Sequence, residues 1–176
     1  MTRLRISRRR FLGALAAAGA TLFGAGVGLR LLRGFAPDVR GLRFLDDSEH
    51  RTMARLAEAI LPRGGPFEEG AEDVDLARRF DDFLADEPPW IQSDVRNALL
   101  LLEYGPVIFE RRRHTFSNLP ADERLAHFQR WRESDRLEQR QASMALTKFM
   151  SMVFYDDPRV WASIRYPGPS AKRGAQ

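Results

Sequence analysis

The chain of 176 residues contains no cysteine. That excludes disulfides, thiolate nucleophiles, iron–sulfur ligation by this chain and covalent attachment of a c-type haem. Histidine is nearly as scarce. His50, His114 and His127 are the only three, and they fall on different predicted segments, without the i, i+3 or i, i+4 partner that sets two ligands on one helical face. No His-Glu-x-x-His, Glu-x-x-His or His-x-His run occurs, so the sequence offers no metal site. Gly64-Gly65 follows a predicted helix and does not lie between a strand and a helix, as a dinucleotide-phosphate cradle requires. No serine has a Gly-x-Ser-x-Gly context. No stretch alternates apolar and polar residues with period two over a useful length, which excludes a sheet-based domain.

A basic body is also lacking. The chain has 28 Lys and Arg against 24 Asp and Glu, but nine of the basic residues and only one of the acidic lie in residues 1–43. The remaining 19 and 23 give residues 44–176 a net charge of −4, opposite in sign to the electrostatic footprint of a nucleic-acid binder.

The positive charge is concentrated in an N-terminal leader, residues 1–33. Arg3, Arg5, Arg8, Arg9 and Arg10 precede nineteen uncharged residues, Phe11 to Leu29, in the basic-then-apolar layout of an export signal. Ser7-Arg8-Arg9-x-Phe11-Leu12 resembles the twin-arginine export motif, in which the adjacent arginines are recognised as a pair by the translocase. Gly13 stands where that motif usually has lysine. Ala14, Ala16, Ala17, Ala18, Gly19, Gly24, Gly26 and Gly28 keep the apolar run only mildly hydrophobic, whereas a robust spanning helix has more Leu, Ile and Val. The run is nevertheless long enough to cross a bilayer core. Gly34-Phe35-Ala36 is the nearest small-x-small sequence, and Pro37 follows it. Cleavage and retention as an inner-membrane anchor are both open, as is a general secretory signal with incidental arginines.

Residues 34–45 form a linker punctuated by Pro37 and Gly41. Residues 46–169 predict an all-α domain, an irregular bundle of about five to six helices preceded by the N-terminal signal or anchor helix. Asp46 or Asp47 can cap a first helix, with Glu49 three residues after Asp46 as in a capping box, followed by Met53, Leu56, Ala57, Ile60 and Leu61 at helical spacing. Asp73 is the expected cap of a second helix, with Leu76, Ala77, Phe80, Phe83 and Leu84 on one face, stopped by Pro88-Pro89. A third and most apolar helix opens at Ser93 and is kinked or broken at Gly105-Pro106. A fourth begins near Pro120 and carries Leu125, Phe128 and Trp131. A fifth starts at Ser134 or Asp135, with Leu137, Met144, Ala145, Phe149, Met152 and Val153 as its apolar positions. Asp157-Pro158 caps and starts a short last helix. Residues 170–176 are a solvated tail.

The adjacent carboxylates Asp46-Asp47, Glu68-Glu69, Asp81-Asp82 and Asp156-Asp157 are expected to be solvated faces and caps, because sequence neighbours point apart on a helix. Arg111-Arg112-Arg113-His114 is expected to be a solvated helix end partly neutralised by Glu103 and Glu110, with contact to an acidic partner as the alternative. Phe154, Tyr155, Trp161 and Tyr166 crowd the last third, and are the candidate partner-binding residues because Trp and Tyr are enriched at interface hot spots.

The segments Phe44-Leu45, Leu56-Ala57-Glu58-Ala59-Ile60-Leu61-Pro62 and Asp81-Asp82-Phe83-Leu84, with the closing run Phe154-Tyr155-Asp156-Asp157-Pro158-Arg159-Val160-Trp161 and Tyr166-Pro167-Gly168-Pro169, resemble the small third subunit of membrane-associated gluconate 2-dehydrogenase and its relatives. The resemblance covers about residues 44–169. It implies a non-catalytic accessory subunit without a cofactor of its own. Its expected partners are a flavoprotein dehydrogenase of the glucose-methanol-choline type carrying FAD, and a cytochrome c subunit. The small subunit's leader takes the folded complex through the twin-arginine translocase to the periplasm. The residues also admit a membrane-anchored helical scaffold unrelated to an oxidoreductase, and a self-sufficient exported enzyme with a site that motifs do not reveal.

Overall fold

A computed structural model describes residues 38–65 and 67–168; the leader, its Ser7, Arg8, Arg9, Phe11 and Leu12, and the tail from residue 169 lie outside the described residues. Among the described residues there are six α-helices and one 3-10 turn, and no strand, as the all-α expectation requires. The helices are α1 (Asp47–Ile60), α2 (Leu76–Ala85), α3 (Pro89–Glu110), α4 (Ala121–Arg132), α5 (Leu137–Tyr155) and α6 (Pro158–Trp161), with the 3-10 turn Phe116–Asn118 between α3 and α4.

α1 starts at the predicted capping box: the Glu49 amide donates to Asp46 Oδ1 at 2.7 Å and the Asp46 amide donates to Glu49 Oε2 at 2.9 Å. Its Met53, Leu56 and Ala57 are buried against α2, α3 and α4. α2 does not use Asp73 as its cap. That carboxylate accepts from the Gly70 amide at 2.9 Å and pairs with Arg63, so it is already engaged in the preceding turn. The helix begins instead after Asp75, which sits in the left-handed region at φ 49°.

α3 starts four residues before Ser93, with Pro89 at its first position. There the missing N–H costs no intrahelical bond and the fixed φ suits the helix. It also passes through Gly105-Pro106 without a break. Gly105 lies so close to α4 that an added Cβ would come within 2.6 Å of Trp131 and 3.1 Å of His127, so the residue before the proline is a close seat of α4 on α3. α4 buries Arg124, His127, Phe128 and Trp131, spaced i, i+3, i+4 and i+7. Leu125 faces out, contrary to the expectation.

The largest departure is in α5. Its buried residues are Gln139, Ala142, Ser143, Leu146, Met150, Val153 and Phe154, while the expected core positions Leu137, Met144 and Met152 are exposed. α5 is apolar on two faces and only one of them is covered by α2, α3 and α4.

Fully buried Phe80, Phe116, Phe154 and Trp131 and the leucines Leu56, Leu84, Leu99 and Leu146 dominate the core, each contributing roughly 1.5–3 kcal/mol by leaving water. Two buried carboxylates sit beside them. Asp81, expected on a solvated face, is fully buried in α2, where it accepts from the amides of Arg43 (2.6 Å), Phe44 (3.0 Å) and Leu45 (2.6 Å). Glu103 does not neutralise the arginine run. It is fully buried and accepts from Thr52 Oγ1 (3.0 Å), the Ser117 amide (3.0 Å) and Ser117 Oγ (2.8 Å), tying α3 to α1 and to the 3-10 turn.

Replacing Asp81 with Asn keeps the shape but turns one acceptor into a donor facing backbone N–H groups. Loss of charge-assisted bonds and orphaning of a buried donor predict a destabilisation of roughly 2–4 kcal/mol. Urea unfolding should show it as a lower midpoint, whereas Asp82→Asn at the neighbouring exposed position should stay within about 0.5 kcal/mol.

Candidate functional site

The closing segment is positioned by one carboxylate. Asp157, at the junction of α5 and α6, is 2% exposed. Its Oδ1 accepts from the Arg159 amide at 2.9 Å and from Arg159 Nε at 3.0 Å, and its Oδ2 accepts from Arg159 Nη2 at 2.7 Å. Arg79 of α2 completes the cluster, with Nη1 on Asp157 and Nη2 3.2 Å from Asp156. Arg159 also reaches the Asp73 carbonyl. Asp157 is thus the expected N-cap, and beyond that the centre of an ion-pair cluster that pins α6 to α2. The bonds from Arg159, with the charges of Arg79 and Arg159, outweigh burial and hold its pKa down at about 2.

Around this anchor, Tyr155, Trp161 and Tyr166 come together on one cleft of about 640 Å3, shared with Phe83, Met152, Arg79 and Asp156. The Trp161 and Tyr166 rings meet edge to face at 5.5 Å. Trp161 Nε1 donates to the Tyr155 carbonyl at 2.9 Å, which fixes the indole and satisfies its polar edge. Gly168, at φ +93°, lies against the same indole: an added Cβ would stand 2.9 Å from Cζ3. Tyr155 and Tyr166 are exposed and Trp161 is half-buried. Phe154 does not belong to this surface. It is 0% exposed, stacked with Phe67 at 5.6 Å, and serves the core. One position along a helix rotates the side chain by about 100°, and that separates Phe154 inside from Tyr155 outside.

A second opening lies between α3 and α5, a groove of about 430 Å3 that motif reading missed. Trp90 stands at its edge, 67% exposed, and Ala98, Ala142 and Ala145 line it. Phe149 lines this groove and packs at 5.9 Å on Phe83 of the aromatic cleft. The two openings therefore meet along α5. Outward residues of α5 include Met144, 70% exposed, and Met152, which lines the aromatic cleft. The only signal in the sequence was the excess of apolar residues on α5 over what one stripe needs.

The histidines do not assemble. His127 is fully buried between Phe116 and Trp131 with Nδ1 2.6 Å from Glu110; burial lowers its pKa despite that carboxylate. His50 is on α1, and His114 is exposed in the loop after α3. Among the described residues, no group of three or more His, Cys, Asp or Glu could hold a metal ion. The arginine run is partly engaged: Arg112 pairs with Glu110 and Glu123, and Arg111 is the left-handed C-cap of α3 at φ 55°. No family model, curated protein or solved structure matches the chain.

The depressed pKa of Asp157 has a sign. Its contribution to stability is complete above the unfolded value of 3.8 and is lost as pH falls toward about 2, because below that range both states are protonated. Thermal melts of the parent should therefore fall between pH 4 and pH 2 by more than those of Asp157→Asn, whose lower stability at neutral pH should carry less of that slope.

Proposed function

We propose that this chain is a non-catalytic accessory subunit. It binds a flavin-dependent dehydrogenase of the glucose-methanol-choline type and directs it through the twin-arginine route to the periplasm. The observation that carries this reading is a combination. A leader with Ser7-Arg8-Arg9-x-Phe11-Leu12 precedes a helical body that leaves an aromatic cleft and an apolar helix face in solvent. A twin-arginine leader delivers folded cargo, so a partner without a signal can travel bound to a subunit that has one. The body supplies the handle: Tyr155, Trp161 and Tyr166 present large, rigid, amphipathic rings of the kind that anchor interfaces, and the Asp157 cluster fixes them before the partner arrives. Resemblance of residues 44–169 to the small third subunit of gluconate 2-dehydrogenase supports the same reading and supplies the class of partner. FAD belongs to that partner, and a cytochrome c subunit is the natural electron acceptor of such a complex. Among the described residues no helix is long and apolar enough to cross a membrane; a membrane attachment of the exported complex rests on the leader.

Two variants separate the two halves of the proposal when the chain is co-expressed with the dehydrogenase. Arg8→Lys with Arg9→Lys should leave both proteins in the cytoplasm, measured by fractionation and flavin absorbance; export of the dehydrogenase at the parent level would sink the escort role. Tyr155→Ser with Tyr166→Ser, at exposed positions, should leave this chain exported while co-purifying dehydrogenase falls at least tenfold, about 1.4 kcal/mol of interface free energy. Undiminished co-purification would remove the cleft from the interface.

A further inference from the structure

We propose that the groove between α3 and α5 receives an amphipathic helix of a partner protein, apolar on one face and carrying basic residues beside that face. This rests on the partner-binding half of the reading above and deepens it by naming the chemistry of the element that docks.

Shape is the first argument. Ala98, Ala142 and Ala145 present methyl groups to the groove, and short side chains at a contact let a second helix approach toward the lower end of the usual 8–10 Å interaxial range. Trp90 lines the side of this opening and is left exposed by the described residues. Beyond the groove α5 also exposes Leu137, Met144 and Met152, with Lys148 between the two methionines on the same helical row. α5 has 19 residues and is roughly 28 Å long at 1.5 Å per residue, so the surface suits a helix of several turns rather than a compact small molecule.

Charge then selects among occupants. Among the described residues, the only ionisable ones lining the groove are Asp94 and Glu138, one on each wall. Neither forms an ion pair with another described residue, and no described arginine or lysine lines the groove. Two unpaired carboxylates flanking an apolar floor complement a helix with Lys or Arg on either side of its apolar stripe. A second copy is disfavoured by the same groups, since a two-fold contact of groove on groove would set carboxylates against carboxylates. An anionic lipid surface is disfavoured for the same reason.

The probe is a labelled 18-residue helix of leucine and lysine with one apolar face, compared by fluorescence anisotropy with a scrambled peptide of identical composition. Titrated with the full chain, the amphipathic peptide should bind at least tenfold more tightly than the scrambled one. Asp94→Lys with Glu138→Lys should cost it at least tenfold, and Ala145→Trp, which fills the groove from a half-buried position, should abolish the preference. Circular dichroism of each variant should match the parent; the charge-reversal variant changes two exposed side chains and keeps the test decisive if Ala145→Trp misfolds. Equal binding of the scrambled peptide, or binding indifferent to the charge reversal, overturns the proposal. So does self-association seen by light scattering that Ala145→Trp or the charge reversal disrupts, which would assign the groove to a second copy. None of these readings involves Arg8 or Arg9, so the groove and the escort role fail separately.

Discussion

The three amide bonds to Asp81 decide where the folded body begins. A carboxylate with no water around it must find donors inside the protein, because leaving it bare is far more costly than leaving it neutral or exposed. Here the donors are the amides of Arg43, Phe44 and Leu45, which belong to no helix and have no ladder to join. Each side satisfies the other. The consequence is geometric: once residues 43–45 are strapped to α2, Leu45 is buried and Asp46 stands where its capping box can start α1. Arg96 of α3 then closes over Phe44, 4.3 Å from the ring centre, and donates to its carbonyl at 3.0 Å. A segment that composition marks as a linker is therefore the clasp between α1, α2 and α3. Glu103 does corresponding work elsewhere, joining α1 and α3 to the turn before α4.

Local chemistry was legible in the sequence, and choices among neighbours were not. Capping at Asp46 and Asp157 is decided within three residues of chain, and both sites stand where the residue types put them. The proline at 106 shows the limit. Its local effect is to remove a bond and crowd the preceding turn, yet α3 runs through it unbroken, and the close seat of Gly105 against Trp131 at that point belongs to the tertiary structure. Asp81 shows a second limit. Nothing in Asp81-Asp82 says which of two adjacent carboxylates turns inward; that depends on a loop 36 residues earlier bringing N–H groups without partners.

α5 is the more instructive case. A 3.6-residue period identifies a helix with an apolar stripe, but it does not choose when two stripes are apolar. Leu137, Met144 and Met152 form one set, Leu146, Met150 and Val153 another, and only the packing of α2, α3 and α4 decides which is covered. The aromatic pair Phe154-Tyr155 divides in the same way. Candidate partner residues drawn from a dense aromatic run necessarily mix core with surface, so three of the four reach the cleft and the fourth holds the core beneath it. The groove walls were invisible for a related reason: Trp90 and Glu138 lie 48 positions apart in sequence, and only the α3–α5 contact makes them neighbours.

An exposed apolar face becomes a useful docking surface only if it holds still, since ordering side chains and helix at the moment of binding subtracts from affinity. α5 is fixed at both ends by polar contacts unrelated to its outer face. At its start, Ser134 Oγ accepts from the Arg136 amide at 3.1 Å and Arg140 reaches back to the Ser134 carbonyl. At its end, Asp157 gathers Arg79 and Arg159, joining the helix to α2. Between these clamps the inner stripe is locked in the core, so the outer residues project from a helix whose rotation and tilt are already settled. Stability and, under the proposed docking, recognition then fall on opposite sides of the same 19 residues. The inner side tolerates little change in volume. The outer side, free of packing constraints among the described residues, mixes Leu137, Met144 and Met152 with Glu138 and Lys148, and its apolar members are the ones the proposed docking would cover.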